Sequence, residues 1–192
     1  MAVEALRSQL RSGRLVSGEP LTITELAHDL GLSATPVREA LSRLAGERLI
    51  EDRRGRGYFA PRFDVSDLVE LYGLRRLYLA EALIADGAEP PPEPDEPTPP
   101  AARLGQVLDW IVARAGNRAL FDAYRQVGER LAPSVRIEGK VFSVEDELDA
   151  VEESLGDRTR LATTLGDLHE ARRLRAADLV RAMRAHANIA SL

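Results

Sequence analysis

One glycine, Gly31, and the two stretches it separates constrain this chain more than any other feature. Before it, Thr24 stands ready to cap Glu25-Leu26-Ala27-His28-Asp29-Leu30. After it, Ser33-Ala34-Thr35-Pro36-Val37-Arg38-Glu39-Ala40-Leu41-Ser42-Arg43-Leu44 places Val37, Ala40, Leu41 and Leu44 at the three-and-four spacing of one helical face. Thr35, Arg38 and Ser42 share the opposite face. Ser33 or Thr35 can cap the second helix, and Pro36 is tolerated in a first turn because that N–H has no helical partner. Gly31 ends the first helix in a left-handed conformation at little cost, and Leu32 is the expected buried pivot. Helix, short glycine-containing turn, helix is the helix-turn-helix arrangement. An ordinary surface helix can show the same two faces, so the neighbouring segments must decide.

Upstream, Ala2 to Arg11 reads as a helix with Val3, Leu6 and Leu10 on one side, ended by Ser12-Gly13. Gly18-Glu19-Pro20 is a turn, and Leu21-Thr22-Ile23 is short and extended. Downstream, Arg48-Leu49-Ile50-Glu51-Asp52 and Tyr58-Phe59-Ala60-Pro61 alternate like strands around Arg53-Arg54-Gly55-Arg56-Gly57. This predicts a two-stranded hairpin with three arginines at its tip, a wing able to sit on phosphates or enter a minor groove. Residues 1–62 carry ten Arg against eight Asp or Glu, a charge of +2, within a chain of net charge −5; the remainder therefore carries −7. The first third is the expected nucleic-acid surface, and the acidic remainder limits indiscriminate adhesion to phosphate.

Glu25-Leu26-Ala27, Gly31-Leu32-Ser33, Thr35-Pro36-Val37-Arg38-Glu39-Ala40-Leu41, Leu44 and Gly55-Arg56-Gly57 together resemble the winged-helix head of GntR-type bacterial transcription regulators, most of all the FadR-like (FCD) branch. The resemblance implies DNA contacts at Ser33, Thr35, Pro36, Arg38 and Arg43, and at Arg54, Gly55, Arg56 and Gly57 of the wing. The family usually has Arg where this chain has Ala34, which alters one expected contact. His28 reads as a surface imidazole.

Beyond residue 62, Asp64 or Ser66 caps a long helix to about Asp86, whose stripe from Val65 to Leu83 is wide enough for burial on more than one side. Seven of the eleven prolines fall within 89–100, which excludes helix and central strand there and predicts an extended, exposed connector. Helices resume at Ala101. One runs through Leu104, Val107, Leu108 and Ile111 to Gly116-Asn117, and another from Leu120 ends before Pro133. Others cover Val144 to Leu155 and Arg158 to about Ala190, with a break near Gly166. The expected architecture is mainly α: a winged helix-turn-helix of three helices and a hairpin at 1–62, then an all-α bundle at 63–192 for dimerisation and effector binding.

The layout of this second part resembles, in shortened or divergent form, the FCD regulatory domain. Many FCD proteins hold a divalent metal with one Asp and three His. This chain has three His in all, one of them in the head. The implied ligand positions fall near Leu104, Leu108 and Asp146 and at His169, so no tightly bound transition metal and no other cofactor is expected; the alternative is a site of Asp146 and His169 completed by water. The resemblance also places Arg75 where an acidic effector is met, since a planar guanidinium suits carboxylate recognition. Arg125, Asp146, His169 and Arg172 are further effector candidates, and His186 reads as a surface or interface residue.

With no cysteine, no span near the roughly 18 apolar residues of a membrane helix and no signal pattern, the expected location is the cytoplasm. No cysteine nucleophile, glycine-rich phosphate cradle or His-Glu metal spacing points to an enzyme. The sequence reads as a dimeric repressor that binds a palindromic operator on double-stranded DNA and answers a small carboxylate. The alternative is an effector-independent regulator governed by a protein partner or by oligomerisation.

Overall fold

The computed structural model describes residues 1–85, 91, 92, 94 and 96–190. The chain divides into two compact units: residues 1–63 together with the chain from Met183 onward, and residues 64–182.

In the first unit, α1 (Ala2–Ser12) buries Ala2, Leu6 and Leu10, while Val3 is half-buried; the inward stripe begins one residue earlier than expected. The helix α2 (Ile23–Leu30) starts at Ile23, with Thr22 rather than Thr24 at its N-cap. The Leu26 N–H bonds to the Thr22 carbonyl at 3.0 Å, so the helical ladder reaches back through residues expected to be extended. Gly31 closes it at φ 63°. The turn leads into α3 (Ala34–Gly46), with Ser33 at the N-cap and Val37, Ala40, Leu41 and Leu44 buried, as their spacing predicts. Leu32 packs against this core but is only half-buried.

A hairpin follows, β1 (Glu51–Arg53) antiparallel to β2 (Gly57–Phe59), with Glu51 opposite Phe59 and Arg53 opposite Gly57. Its second strand is backed by Pro20–Leu21: Pro20 bridges Phe59, and the Leu21 N–H bonds to the Tyr58 carbonyl at 2.8 Å. Leu6, Val37, Leu41, Leu44, Leu49, Ile50 and Ala60 knit the helices and the hairpin root into one core. Fully burying a leucine there is worth about 1.5–3 kcal/mol.

The second unit opens with α4 (Val65–Ala85). Asp64 caps it: its Oδ1 accepts the Asp67 N–H at 2.9 Å and the Ser66 hydroxyl at 2.6 Å, and the Asp67 carboxylate accepts the Asp64 N–H at 2.9 Å. This reciprocal pairing satisfies donors that a helix start leaves open. Then come α5 (Pro100–Arg114), α6 (Arg118–Val135), a single 3-10 turn at Glu138–Lys140, α7 (Val144–Glu152), α8 (Arg158–Leu174) and α9 (Ala176–Ala190), of which the part up to Ala182 belongs to this unit and the rest to the first. Leu79 and Leu83 of α4, Val107 and Ile111 of α5, Val151 of α7, and Leu161 and Leu165 of α8 share one core with Tyr124 of α6.

Three expected boundaries move. Pro133 lies inside α6 instead of after it. Near a C-terminus it forgoes the one bond its own N–H would make, and Leu131 and Ser134 hold the last turn by burial. Gly166 does not interrupt α8; the break falls at Arg175. A lone glycine costs a helix interior about 1 kcal/mol, which tertiary packing overrides. Val144 begins α7 as expected, but the helix stops at Glu152.

Of the proline-rich stretch, residues 89, 90, 93 and 95 lie outside the described residues. Its described part has no strand, but Pro91 is buried and Arg103 of α5 donates to the Pro92 carbonyl at 3.2 Å, so this part is not the fully exposed spacer expected. Pro100 is already the first residue of α5. Among the described residues, no helix is long and apolar enough to cross a membrane.

Candidate nucleic-acid interface and effector site

On α3, burial of Val37, Ala40, Leu41 and Leu44 leaves Thr35, Arg38, Glu39, Ser42 and Arg43 in solvent. Ser33 makes no side-chain cap bond, so its exposed hydroxyl is not used by its own helix. Pro36 is half-buried in the first turn. Arg38 has no ion-pair partner among the described residues, whereas Arg43 Nε donates to Glu47 at 3.1 Å. Glu47 is also gripped by Arg7 of α1. The outward face is thus short hydroxyls around one uncommitted guanidinium at the N-terminal end of a helix, an arrangement suited to base edges and phosphates.

The wing separates its three arginines. Arg53 pairs with Glu51 at 2.7 Å and lies 4.1 Å from the centre of the Phe59 ring, so it braces the strands. Arg54 and Arg56 are exposed, flanking Gly55 at φ 71°, and Gly57 follows at φ 87°. Both glycines adopt a backbone that L-residues resist, which is how a three-residue tip carries two cations into solvent. His28 is exposed, as its sequence context predicts.

Residues 1–59 match the family described as bacterial regulatory proteins, gntR family. The head is a GntR-type winged helix. Beyond that GntR-type head the curated likenesses thin out. A regulator of Mycobacterium tuberculosis, named as an uncharacterized HTH-type transcriptional regulator, is 37% identical over 83 residues, 43% of this chain and 34% of that protein. A probable D-xylose utilization operon transcriptional repressor of Paenarthrobacter nicotinovorans is 40% identical over 67 residues, 35% of this chain and 30% of that one. The chain spans about a third of the length of these relatives, which are named as transcriptional regulators. The solved structure of E. coli McbR/YncC covers 92% of this chain and 95% of its own at a TM-score of 0.64 and 18% identity, a likeness of fold that takes in the helical unit as well as the GntR-type head.

Within the helical unit, the structure gathers three of the five effector candidates and leaves two outside. Arg125 is exposed and paired with Asp109 at 3.1 Å. Asp146 is exposed on α7, and the inward acidic residue is its neighbour Glu147. Arg75, His169 and Arg172 are buried. Arg172 donates to Glu138 at 2.6 Å, to both oxygens of Glu147 at 2.7 and 3.0 Å, and to the Leu168 carbonyl at 3.0 Å. The other Glu138 oxygen accepts from the Tyr72 hydroxyl at 2.5 Å, and that hydroxyl also meets Ser134 at 2.9 Å. Burial would lower the Arg172 pKa, but its bonds to Glu147 and the charge of Glu138 hold it above its ordinary value. Burial, reinforced by Glu138, pushes the Tyr72 hydroxyl well up.

Arg75 is different: it donates to the Tyr124 hydroxyl at 3.2 Å and lies 5.5 Å from that ring's centre, while its buried Nε has no partner. His169 Nδ1 donates to the Leu165 carbonyl at 2.8 Å, leaving Nε2 as a buried, unpaired acceptor. Burial first, then the neighbouring Arg75, pushes the His169 pKa down to about 3, so the ring is neutral.

The metal implied by the FCD resemblance does not fit these residues. Leu104 and Leu108 are core side chains, Asp146 faces solvent, and the open nitrogen of His169 lies in the positive field of Arg75 and Arg172. Sequence reasoning missed Tyr72, Ser134, Glu138 and Glu147. Glu138 sits in Ile137-Glu138-Gly139-Lys140, which reads as a solvated turn; only the three-dimensional approach of Arg172 reveals it as buried.

Proposed function

We propose that this chain is a sequence-specific DNA-binding transcriptional regulator, a repressor that acts in the cytoplasm as a homodimer on a palindromic operator. Residues 1–62 read DNA, and residues 63–192 pair the copies as a divergent FCD-type domain. The observation that carries this reading is the outward face of α3, Ser33, Thr35, Arg38 and Ser42, on a GntR-type head whose wing offers Arg54 and Arg56. Arg38 reads a guanine or holds phosphate, Ser33, Thr35 and Pro36 line the approach, and the wing from Arg54 to Gly57 grips backbone or minor groove. Arg43 adds a phosphate contact when it leaves Glu47.

Support for pairing comes from Leu77 and Ile84 of α4 and Leu174 of α8, large apolar side chains 64%, 70% and 78% exposed. Support for a small acidic effector comes from Arg75: a buried guanidinium whose one side-chain hydrogen bond goes to the neutral Tyr124 hydroxyl and whose Nε has no partner keeps donors free for a carboxylate. His169 Nε2 offers an acceptor for a hydroxyl or amine on the same ligand. The test is selection of bound duplexes from random DNA by the full-length protein, repeated with Arg38→Ala. An enriched palindrome that the variant binds less tightly supports the reading; the absence of enrichment at low ionic strength overturns it.

A second reading, regulation without an effector, is favoured by Arg172, whose charge is already met by Glu138 and Glu147. Thermal melting of the full-length protein against a panel of small carboxylates separates the two. A shift lost in Arg75→Met supports the effector, and no shift supports the second reading.

A further inference from the structure

Arg172 belongs to α8, Glu138 to the 3-10 turn after α6, and Glu147 to α7. The guanidinium therefore ties α8 to two segments that lie 34 and 25 residues away along the chain. Its contacts are short and charge-assisted, and the Arg172 side chain is 2% exposed. A structural metal makes the same kind of tie, drawing carboxylates from separate elements onto one buried cation.

The charge count has the same logic. Two buried or half-buried carboxylates carry −2, and Arg172 and Arg75, which both act on Glu138, carry +2. A divalent ion added to this interior would be unbalanced, and its carboxylate ligands are already engaged: Glu147 holds Arg172 with both oxygens, and Glu138 holds Arg172 with one oxygen and the Tyr72 hydroxyl with the other.

We infer that the Arg172 guanidinium is the resident structural cation of the helical unit, in the role that a buried divalent metal would otherwise play, so that the fold of this unit is independent of metal. The consequence is a chelator-insensitive protein whose helical unit comes to need a metal only when Arg172 is removed. This inference does not rest on the DNA-binding reading or on the effector assigned to Arg75.

The test uses full-length protein freed of any affinity tag. Metal content is measured by elemental mass spectrometry, and melting is followed with EDTA, with Mn2+ and with neither. The wild type is expected to hold no stoichiometric metal and to melt at the same temperature in all three conditions. Arg172→Ala is expected to melt lower and to regain part of the loss in Mn2+, a gain that disappears when Glu147→Gln is added. If Arg172→Ala does not yield folded protein, Arg172→Lys decides. That variant keeps the charge but has three donors for the four acceptors that Arg172 meets and no planar fork for Glu147, so a lower melting temperature with no response to Mn2+ is the expected result. A wild type that carries about one metal per chain or is destabilised by EDTA overturns the inference. So does an Arg172→Ala variant that melts like the wild type or that folds and ignores Mn2+, or an Arg172→Lys variant that melts like the wild type or is stabilised by Mn2+.

Discussion

Arg38 and Arg43 leave the same helix five residues apart, yet they enter any DNA complex with different obligations. Arg43 must first give up Glu47 at 3.1 Å, while Arg38 has no ion pair to break among the described residues. Arg38→Ala is therefore expected to weaken binding to the selected operator by about 1–3 kcal/mol and to relax preference at one base pair. Fluorescence anisotropy on single-position operator variants measures both, and Arg43→Ala should cost less. His169 supports a prediction of another kind. Its folded pKa, about 3, lies below the ordinary 6.5, so the neutral ring is the one the fold accepts. The stability this protects is complete above about pH 6.5 and falls as acid protonates the unfolded chain, by about 1.4 kcal/mol per pH unit toward the folded pKa. Denaturant unfolding between about pH 7 and about pH 4.5 should show this slope, and His169→Gln, neutral throughout, should lack that share of it. The exposed residues of this site were legible in the sequence, because the apolar spacing of Val37 to Leu44 fixes by exclusion which side chains face out. Glu138 and Glu147 were not, since burial of a carboxylate depends on a cation brought from another helix.

Among the elements, the wing shows how far local pattern reaches. Its hairpin and glycine-rich tip followed from alternation and from Gly55 and Gly57, but the strands are only Glu51–Arg53 and Gly57–Phe59, with residues 48–50 left outside them. The division of labour among its arginines did not follow. Only pairing across the hairpin reveals that Arg53, opposite Gly57, is held by Glu51 and Phe59, while Arg54 and Arg56 remain exposed. Arg54→Ala should therefore weaken binding about equally on all duplex sequences and reduce the slope of log affinity against log salt by about 1. Titrations between about 50 and about 200 mM salt would read that slope, and Arg53→Ala should instead lower thermal stability. The helix ends were less legible than the helices. Pro133 and Gly166 are breakers by local propensity, yet α6 and α8 run through both because their faces bury Leu131, Ser134, Leu165 and Leu168. The break at Arg175 has no sequence mark; there the guanidinium takes the Val141 carbonyl at 2.8 Å and Asp178 at 2.9 Å.

For the whole molecule, the proposed dimer makes operator affinity depend on two heads being linked. Binding one half-site by each of two joined heads turns the second contact into an intramolecular event, so affinity for the palindrome exceeds that for a half-site by a factor set by effective concentration. That factor should vanish if the copies are separated while each head stays intact. Leu77 and Ile84 are the positions to alter, because both are large, apolar and mostly exposed on a helix whose other face, through Leu79, Ala82 and Leu83, supplies the core. Aspartate at both sites places two charges where a second copy would need apolar contact, and costs the single chain little because neither side chain is buried. Sedimentation velocity is expected to show the double variant Leu77→Asp, Ile84→Asp as a monomer that melts near the wild-type temperature. Its affinity for a half-site duplex should match that of the wild type, and its affinity for the full palindrome should fall to nearly the same value. A monomer that still prefers the palindrome strongly would mean that the heads themselves pair on DNA, and a variant that remains dimeric would move the pairing surface off α4.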